Sequence, residues 1–284
     1  MTRATRLTEP IAGLGEGPYW DADSQQLIMV DLLRGDLLTI SSDGGVDRQH
    51  VSDIVSVLRR RADGGFVIGV ERGFAFLDDD LAPVGEPIPA FADPQLRMND
   101  GGCDPQGRFY VGSMSYAEAT GAGRLYRLDP DGSVSTVLDS VSVSNGIHWS
   151  ADGQRVFYND TPTNQVTLFD FDAGTGTLHD PRPFVSFTGP GSPDGMAIDV
   201  EDGIWVPLWG GSAVQRYDAD GNLSEVVELP ASKVTACAFG GPDRRRLHIT
   251  TASVDLSPDE EPEAGAVFTV ETGVTGATPY AFAG

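Results

Sequence analysis

A repeat of about 40 to 50 residues restricts the fold of this 284-residue chain more than any other feature. Six apolar runs each follow a turn-forming cluster: LIMVD at 27–31, FVIGV at 66–70, FYVGS at 109–113, RVFYND at 155–160, IWVPL at 204–208 and LHITT at 247–251. The equivalent points Ser24, Gly64, Gly107, Gly153, Gly203 and Arg244 lie 40, 43, 46, 50 and 41 residues apart. This is the period of a four-stranded propeller blade.

Within each repeat a further strand follows the apolar run and ends in an acidic or glycine turn, as in GRLYRLDPDG and QVTLFDFDAG. These strands alternate with a period of two, and no segment has the spacing of an amphipathic helix. The 35 glycines and 19 prolines supply turns, while 40% hydrophobic residues are enough for a folded core. The sequence predicts an all-β, six-bladed β-propeller that occupies residues 1–284 as one domain, with the amino-terminal segment closing the last blade.

The net charge of −23 makes nucleic acid and anionic membranes unsuitable partners, because phosphate binding needs a surplus of Lys and Arg. Cys103 and Cys237 are too few for a disulfide framework or a thiolate metal site. The amino terminus MTRATRLTEP has no apolar signal region, and no apolar run is long enough to cross a membrane. We expect a cytoplasmic protein that is a monomer or a weak dimer.

Polar residues recur at one position of the repeat, eight or nine residues before the turn. Glu16, Asn99, Asn145 and Asp194 occupy it, and Gly follows three of them directly. Residues at equivalent positions of successive blades should converge on one end of the propeller channel. Carboxylate and amide oxygens suit Ca²⁺, Mg²⁺ or Mn²⁺. The alternative is that short polar residues before Gly are ordinary turn residues.

Five motifs in order resemble the senescence marker protein-30/gluconolactonase/luciferin-regenerating enzyme family. They are LGEGPYWDADSQQLIMVD at 14–31, RMNDGGCDPQGRFYVGSM at 97–114, VSNGIHWSADGQRVFYNDTPTNQVTLFDFD at 143–172, SPDGMAIDVEDGIWVPLWGGSAVQRYDADG at 192–221 and VTACAFGGPDRRRLHITTAS at 234–253. The resemblance implies a six-bladed propeller with one divalent metal ion in the channel. It also implies hydrolysis of a sugar lactone.

The resemblance assigns roles to individual residues. It places the metal ligands at Glu16, Asn145 and Asp194, and substrate contacts at Arg97 and Asn99. Asp100 completes the R-x-N-D motif and either contacts the substrate or orients Asn99. His148, close to Asn145, is either a donor to the groups around the metal or a packing residue.

Two departures from the family pattern affect the substrate. Met98 stands where Pro or Leu is more usual, and the loop GSMSYAEATGAG places Ala117 where many members have a substrate-binding Glu. Tyr116 and Glu118 beside it are therefore the candidate substrate contacts of this loop.

The predicted mechanism uses a divalent ion, Ca²⁺, Zn²⁺, Mg²⁺, Mn²⁺ or Fe²⁺, to polarise the lactone carbonyl and activate water. Asp194 is the predicted general base, and Arg97 orients ring hydroxyls or binds the product carboxylate. Three alternatives stay open: hydrolysis of a non-sugar lactone or ester, hydrolysis of a phosphotriester, and a non-enzymatic metal-binding propeller.

Overall fold

The computed structural model describes residues 2–284, in which nearly all regular structure is β-strand. The first ten strands are β1 (Thr2–Arg3), β2 (Thr5–Arg6), β3 (Gly15–Asp21), β4 (Gln26–Asp31), β5 (Asp36–Ile40), β6 (Val46–His50), β7 (Val55–Arg60), β8 (Phe66–Val70), β9 (Gly73–Leu77) and β10 (Pro83–Pro89). The next eight are β11 (Leu96–Cys103), β12 (Phe109–Ser115), β13 (Gly123–Leu128), β14 (Val134–Val141), β15 (Ser144–Trp149), β16 (Arg155–Asp160), β17 (Gln165–Asp172) and β18 (Thr177–Ser186). The last eight are β19 (Ser192–Pro193), β20 (Ala197–Ile198), β21 (Ile204–Trp209), β22 (Ala213–Tyr217), β23 (Leu223–Glu228), β24 (Val234–Gly240), β25 (Arg246–Thr251) and β26 (Phe268–Glu271).

The strands form six sheets, in which every pairing is antiparallel except that of β1 with β23. Blades 1 to 4 are β3–β6, β7–β10, β11–β14 and β15–β18; blade 5 is β19–β23 with β1, and blade 6 is β24–β26 with β2. The only helices in residues 2–284 are the 3-10 turns Leu32–Arg34 and Thr161–Thr163. The fold is therefore a six-bladed β-propeller, as the repeat predicts, and no described helix is long and apolar enough to cross a membrane.

Two compact units divide the chain. Unit 1 contains residues up to His50 and Phe187–Ala277, and so holds blades 1, 5 and 6; unit 2 contains Val51–Ser186 and Thr278–Gly284, and so holds blades 2, 3 and 4. In unit 1 the core is built around fully buried Trp205 and Phe268. In unit 2 Phe109 and Phe282 pack in one apolar cluster and Tyr110 in another.

The amino-terminal segment takes part in two blades of unit 1. Strand β2 pairs antiparallel with β26 and becomes the outer strand of blade 6, which confirms the predicted closure. Strand β1 pairs parallel with β23 of blade 5, through Thr2 opposite Val227 and Arg3 opposite Glu228, and the sequence did not indicate this second pairing.

Aspartates at the turns between strands accept backbone N–H groups. Asp104 Oδ1 accepts from the N–H groups of Gln106 and Arg108, and Asp199 Oδ1 does the same in blade 5 with Glu201 and Gly203. Much of the acidic surplus is thus turn chemistry.

Candidate active site

The first strand of every blade carries one extra residue at the place where the sequence aligns its polar residues. In blade 1 the three-residue step from Glu16 to Tyr19 faces a two-residue step on β4. The same interruption follows Val55, Met98, Ser144, Pro193 and Val234 in the other five blades. Such a bulge turns a side chain away from the regular alternation of the strand. In all six blades the extra residue therefore falls at the predicted ring position or directly beside it.

Glycines next to the polar residues make these bulges possible. Gly17 has a φ of 50°, a left-handed conformation that disfavours other residues. A Cβ on Gly195 would lie 2.9 Å from the Cβ of Ala236, so the strand after Asp194 can approach β24 only as glycine. The glycine of the E-G pair thus allows the bulge after Glu16, and the glycine of the D-G pair allows the strand after Asp194 to pack closely against β24.

In unit 1, Glu16 and Asp194 are both buried, with 6% of each residue exposed. The Gly17 N–H donates to Glu16 Oε2 at 3.1 Å, and the Asp194 N–H donates to the Pro207 carbonyl at 3.0 Å. Each carboxylate therefore sits on a backbone fixed by hydrogen bonds.

Thr235 of blade 6 connects the two strands that carry these carboxylates. Its hydroxyl donates to the carbonyl of Gly15, next to Glu16, at 2.5 Å. Its own carbonyl accepts the N–H of Gly195, next to Asp194, at 2.8 Å. Thr235 is fully buried, so this threonine holds both carboxylate-bearing backbones.

In unit 2, the predicted residues Arg97, Asn99 and Asn145 are brought together by hydrogen bonds. Arg97 Nη1 donates to Asn99 Oδ1 at 2.7 Å, and Asn99 Nδ2 donates to Asn145 Oδ1 at 3.3 Å and to the Ser144 carbonyl at 2.9 Å. Asn145 Nδ2 donates to Thr161 Oγ1 at 2.7 Å. The two amides are oriented by their partners, and the Asn145 oxygen points away from Thr161.

Asp100 is buried next to this series, and the Gly101 N–H donates to its Oδ1 at 2.7 Å. Burial raises the pKa of Asp100, and the nearby Arg59 guanidinium opposes that rise. Arg59 in turn donates to the Gly101 carbonyl at 2.7 Å. The contacts of Asp100 therefore fix the backbone that follows Asn99. His148 lies on β15 opposite Phe157 and is half-buried.

The loop after β12 presents Tyr116 and Glu118 differently. Tyr116 is 47% exposed, and its hydroxyl donates to Glu71 Oε1 of blade 2 at 2.7 Å. Partial burial and Glu71 raise the pKa of Tyr116 to about 12, while Arg97 and Arg72 oppose the rise. Glu118 is exposed at a positive φ of 51°.

Sequence reasoning missed Thr161, Thr235 and Glu71. A signal for the first existed: LIMVD and RVFYND both end in an aspartate that accepts two backbone N–H groups and precedes a 3-10 turn. Thr161 begins the second of these turns. Thr235 lies one residue before Ala236, which is eight residues before the turn point Arg244 and so occupies the ring position of blade 6. No sequence signal marked Glu71.

The family can now be identified. A sequence model described as the SMP-30/Gluconolactonase/LRE-like region matches residues 14–253. The chain belongs to this family. Pentonolactonase XacC of Haloferax volcanii is 35% identical to it and covers 96% of this chain and 95% of its own length. Regucalcin of Danio rerio is also 35% identical, over 95% of both chains.

A solved member of the family has the same fold. The crystal structure of a calcium-binding protein, regucalcin, from Agrobacterium tumefaciens superposes with a TM-score of 0.91 at 30% identity. The match covers 99% of this chain and 97% of that one. The family membership and the propeller predicted from the motifs are confirmed.

The side chains at the predicted ligand positions fit a hard divalent cation. Glu16 and Asp194 supply carboxylate oxygens from buried positions, and Asn145 supplies an amide oxygen whose NH₂ end is held by Thr161. Within residues 2–284 no three His, Cys, Asp or Glu side chains form a metal cluster. The carboxylates of Glu16 and Asp194 in unit 1 and the amide of Asn145 in unit 2 are hard oxygen donors, which oxygen-seeking ions favour.

Proposed function

We propose that this protein hydrolyses a sugar lactone to the corresponding aldonic acid with the help of one divalent metal ion. The observation that carries the proposal is the buried, hydrogen-bonded series Arg97, Asn99 and Asn145, which places a cation next to two oriented amides. A site that merely binds an ion has no use for the guanidinium. The family includes a relative named as a pentonolactonase, which supports a lactone as the substrate class.

The proposed metal ligands are Glu16, Asn145 and Asp194, on the basis of the motifs and their common register. When bound, a divalent ion supplies a Lewis acid that polarises the lactone carbonyl and lowers the pKa of water. A relative described as calcium-binding makes Ca²⁺ the first ion to test. The oxygen donor set also accepts Mg²⁺, Mn²⁺, Fe²⁺ or Zn²⁺.

Asp194 is the proposed general base. Its carboxylate takes a proton from the attacking water as the water oxygen bonds to the carbonyl carbon. The ring C–O bond then breaks, and the same carboxyl returns the proton to the departing alkoxide. The hydrogen bonds at Asp194 N–H and Gly195 N–H hold the backbone still, so that the carboxylate keeps one position through both transfers.

Arg97 and Asn99 are the proposed substrate contacts. The Arg97 guanidinium donates to Asn99 Oδ1 and to the Met98 carbonyl, and its positive charge attracts ring hydroxyls or the carboxylate of the product. The acidic exterior of the molecule then favours departure of the anionic product.

Hydrolysis is tested by following acid release in a pH-stat with five- and six-membered aldonolactones, with chelator and after addition of each divalent ion. Turnover should disappear with chelator and return with at least one ion. Asp194→Ala should lower kcat by about 100-fold or more, because general base catalysis contributes this much. Asp220→Ala, in an exposed turn of the same blade, is the matched control and should keep full activity.

If no aldonolactone opens faster than its spontaneous hydrolysis with any of the ions, the proposed function is wrong. Turnover of a phosphotriester without turnover of any lactone would reassign the site to phosphorus chemistry. Full lactonase activity in Asp194→Ala would support the proposed reaction but would show that Asp194 is not its general base.

A further inference from the structure

A tyrosine and a glutamate from neighbouring blades of unit 2 form a polar pair beside Arg97. Tyr116 follows β12, and Glu71 follows β8. The Tyr116 hydroxyl donates to Glu71 Oε1 at 2.7 Å, while Glu71 Oε2 is 3.0 Å from Arg72 Nη2. Residues 71 and 116 are far apart in the sequence, so it is the fold that brings their side chains together.

The backbone on both sides of the pair is fixed. The Tyr116 N–H donates to the Gln95 carbonyl at 3.0 Å, and the Met98 N–H donates to the Glu71 carbonyl at 2.8 Å. Met98 lies between Arg97 and Asn99, so Glu71 is one backbone hydrogen bond away from the substrate-binding segment. A pair held in this way loses little conformational freedom when a ligand binds.

Both groups are accessible to a small molecule. Tyr116 is 47% exposed, and the Glu71 side chain is 28% exposed. Glu71 also lines a cavity of about 330 Å³ together with Ser52, Asp53 and Phe91. The charge of Arg97 acts on the Tyr116 hydroxyl, which places the pair within electrostatic range of the proposed substrate contact.

The pair offers hydrogen-bond acceptors. The phenol proton is already donated to Glu71, and with its pKa raised to about 12 Tyr116 stays protonated at neutral pH. What remains for a ligand are the lone pairs of the phenol oxygen and of the carboxylate. These lone pairs accept hydrogen bonds from O–H groups, and they form no hydrogen bond with a hydrocarbon ring.

We propose that Glu71 and Tyr116 act together as a specificity element that binds the hydroxyl groups of the lactone substrate. The proposal rests on the lactonase function above and adds to it Glu71, which no motif marks, as the partner of Tyr116 in recognising the ring hydroxyls. The proposed contacts are made to ring hydroxyls and not to the reacting carbonyl, so they stabilise the bound substrate and the transition state alike. Their loss should therefore raise KM and leave kcat nearly unchanged.

The test compares an aldonolactone with δ-valerolactone, which has a six-membered lactone ring and no hydroxyls. In Glu71→Gln and Tyr116→Phe, kcat/KM for the aldonolactone should fall roughly tenfold, mainly through KM, since a hydrogen bond to a charged group is lost. The value for δ-valerolactone should stay within about twofold, because that ring makes no such hydrogen bond. The double variant should lose less than the product of the two single losses, because the two groups act as one pair.

Glu86→Gln is the matched control, since Glu86 is an exposed glutamate on β10 of the same blade as Glu71. This substitution should leave kcat/KM unchanged for both lactones. Equal losses for both lactones in the Glu71 and Tyr116 variants, or no loss for either, would overturn the specificity role. The wild-type rates decide the reaction separately: if neither lactone is opened by the unmodified protein, the proposed function itself fails.

Discussion

His248 is a buried titratable residue outside the proposed site. It lies on β25 with 3% of its surface exposed and stacks on Trp20, with ring centroids 5.3 Å apart and an interplanar angle of 16°. Its Nδ1 finds no hydrogen-bond partner among residues 2–284. Burial, reinforced by the charge of Arg246, lowers the pKa of His248 to about 4. The folded protein therefore keeps this imidazole neutral.

The lowered pKa makes a prediction about acid stability. An unfolded histidine takes up a proton near pH 6.5, while His248 in the folded protein does so only near pH 4. Protonation thus favours the unfolded state, and stability falls as the pH drops between these values. Between pH 7 and pH 5 the wild type should lose about 2 kcal/mol more free energy of unfolding than His248→Phe. Urea unfolding at the two pH values measures this difference.

The pH range over which stability is lost distinguishes the contribution of His248 from that of the turn aspartates. Carboxylates such as Asp36 and Asp172 have a pKa lowered below the usual 3.8, so their contribution is lost only at more acid pH. His179→Gln, at an exposed position on β18, is the control and should keep the wild-type pH dependence. Equal losses in wild type and His248→Phe would show that another group is responsible.

At the scale of the element, the bulged first strand connects the sequence repeat with the residues of the proposed site. One extra residue per strand leaves the repeat length and apolar pattern intact, and it changes the direction of one side chain. In unit 1 the bulges of blades 1 and 5 are both tied to blade 6 through Thr235. Thr235 also bonds Thr250 Oγ1 at 2.8 Å, so a pair of buried hydroxyls supports the strands that carry Glu16 and Asp194.

Removal of the Thr235 hydroxyl should affect both stability and activity. Thr235→Val keeps the shape and leaves the Gly15 carbonyl and the Thr250 hydroxyl without this partner, which should cost about 1 to 3 kcal/mol in free energy of unfolding. Glu16 adjoins Gly15, so kcat/KM should fall as well. Thr235→Ser restores the hydroxyl and should recover both quantities. Urea unfolding and initial rates measure them; a Val variant with wild-type stability and rate would contradict the positioning role.

The strands were more predictable than their contacts. The apolar runs predicted β4, β8, β12, β16, β21 and β25, because burial of both faces of a strand leaves a continuous apolar run in the sequence. The bulges were not predicted, since an extra residue in a strand differs from a turn only in its hydrogen bonds. The pair Gly101-Gly102 illustrates this, since consecutive glycines are typical of turns and yet both lie within β11.

At the scale of the whole molecule, the period of the repeat determined the fold class, because each blade needs a fixed length of chain. The register of the repeat also selected Glu16, Asn99, Asn145 and Asp194 without reference to any other protein. Partners such as Glu71 for Tyr116 and Thr161 for Asn145 could not be selected in this way. Their contacts join different strands or blades. Glu71 carries no distinctive local pattern, and the aspartate that ends RVFYND marks the turn at Thr161 without indicating its contact with Asn145.

The net charge of −23 is a property of the whole chain with a consequence for stability. Like charges repel one another in the compact state, and salt screens this repulsion over a Debye length of about 10 Å at 0.1 M. Salt also weakens favourable ion pairs, but buried pairs are screened much less than exposed charges. The ion pairs of Asp199 with Arg216 and of Asp104 with Arg108 are of this buried kind.

Repulsion should therefore dominate the salt response. Raising NaCl from 10 mM to 0.3 M should increase Tm by about 2 °C or more, because screening relieves repulsion mainly in the folded state, where the charges are closest together. Thermal unfolding with chelator present throughout measures the effect free of divalent ions. A parallel series in sucrose shows how much stabilisation arises from exclusion of a cosolute without screening. A Tm that falls across the NaCl series would mean that exposed ion pairs contribute more to stability than the acidic surplus removes.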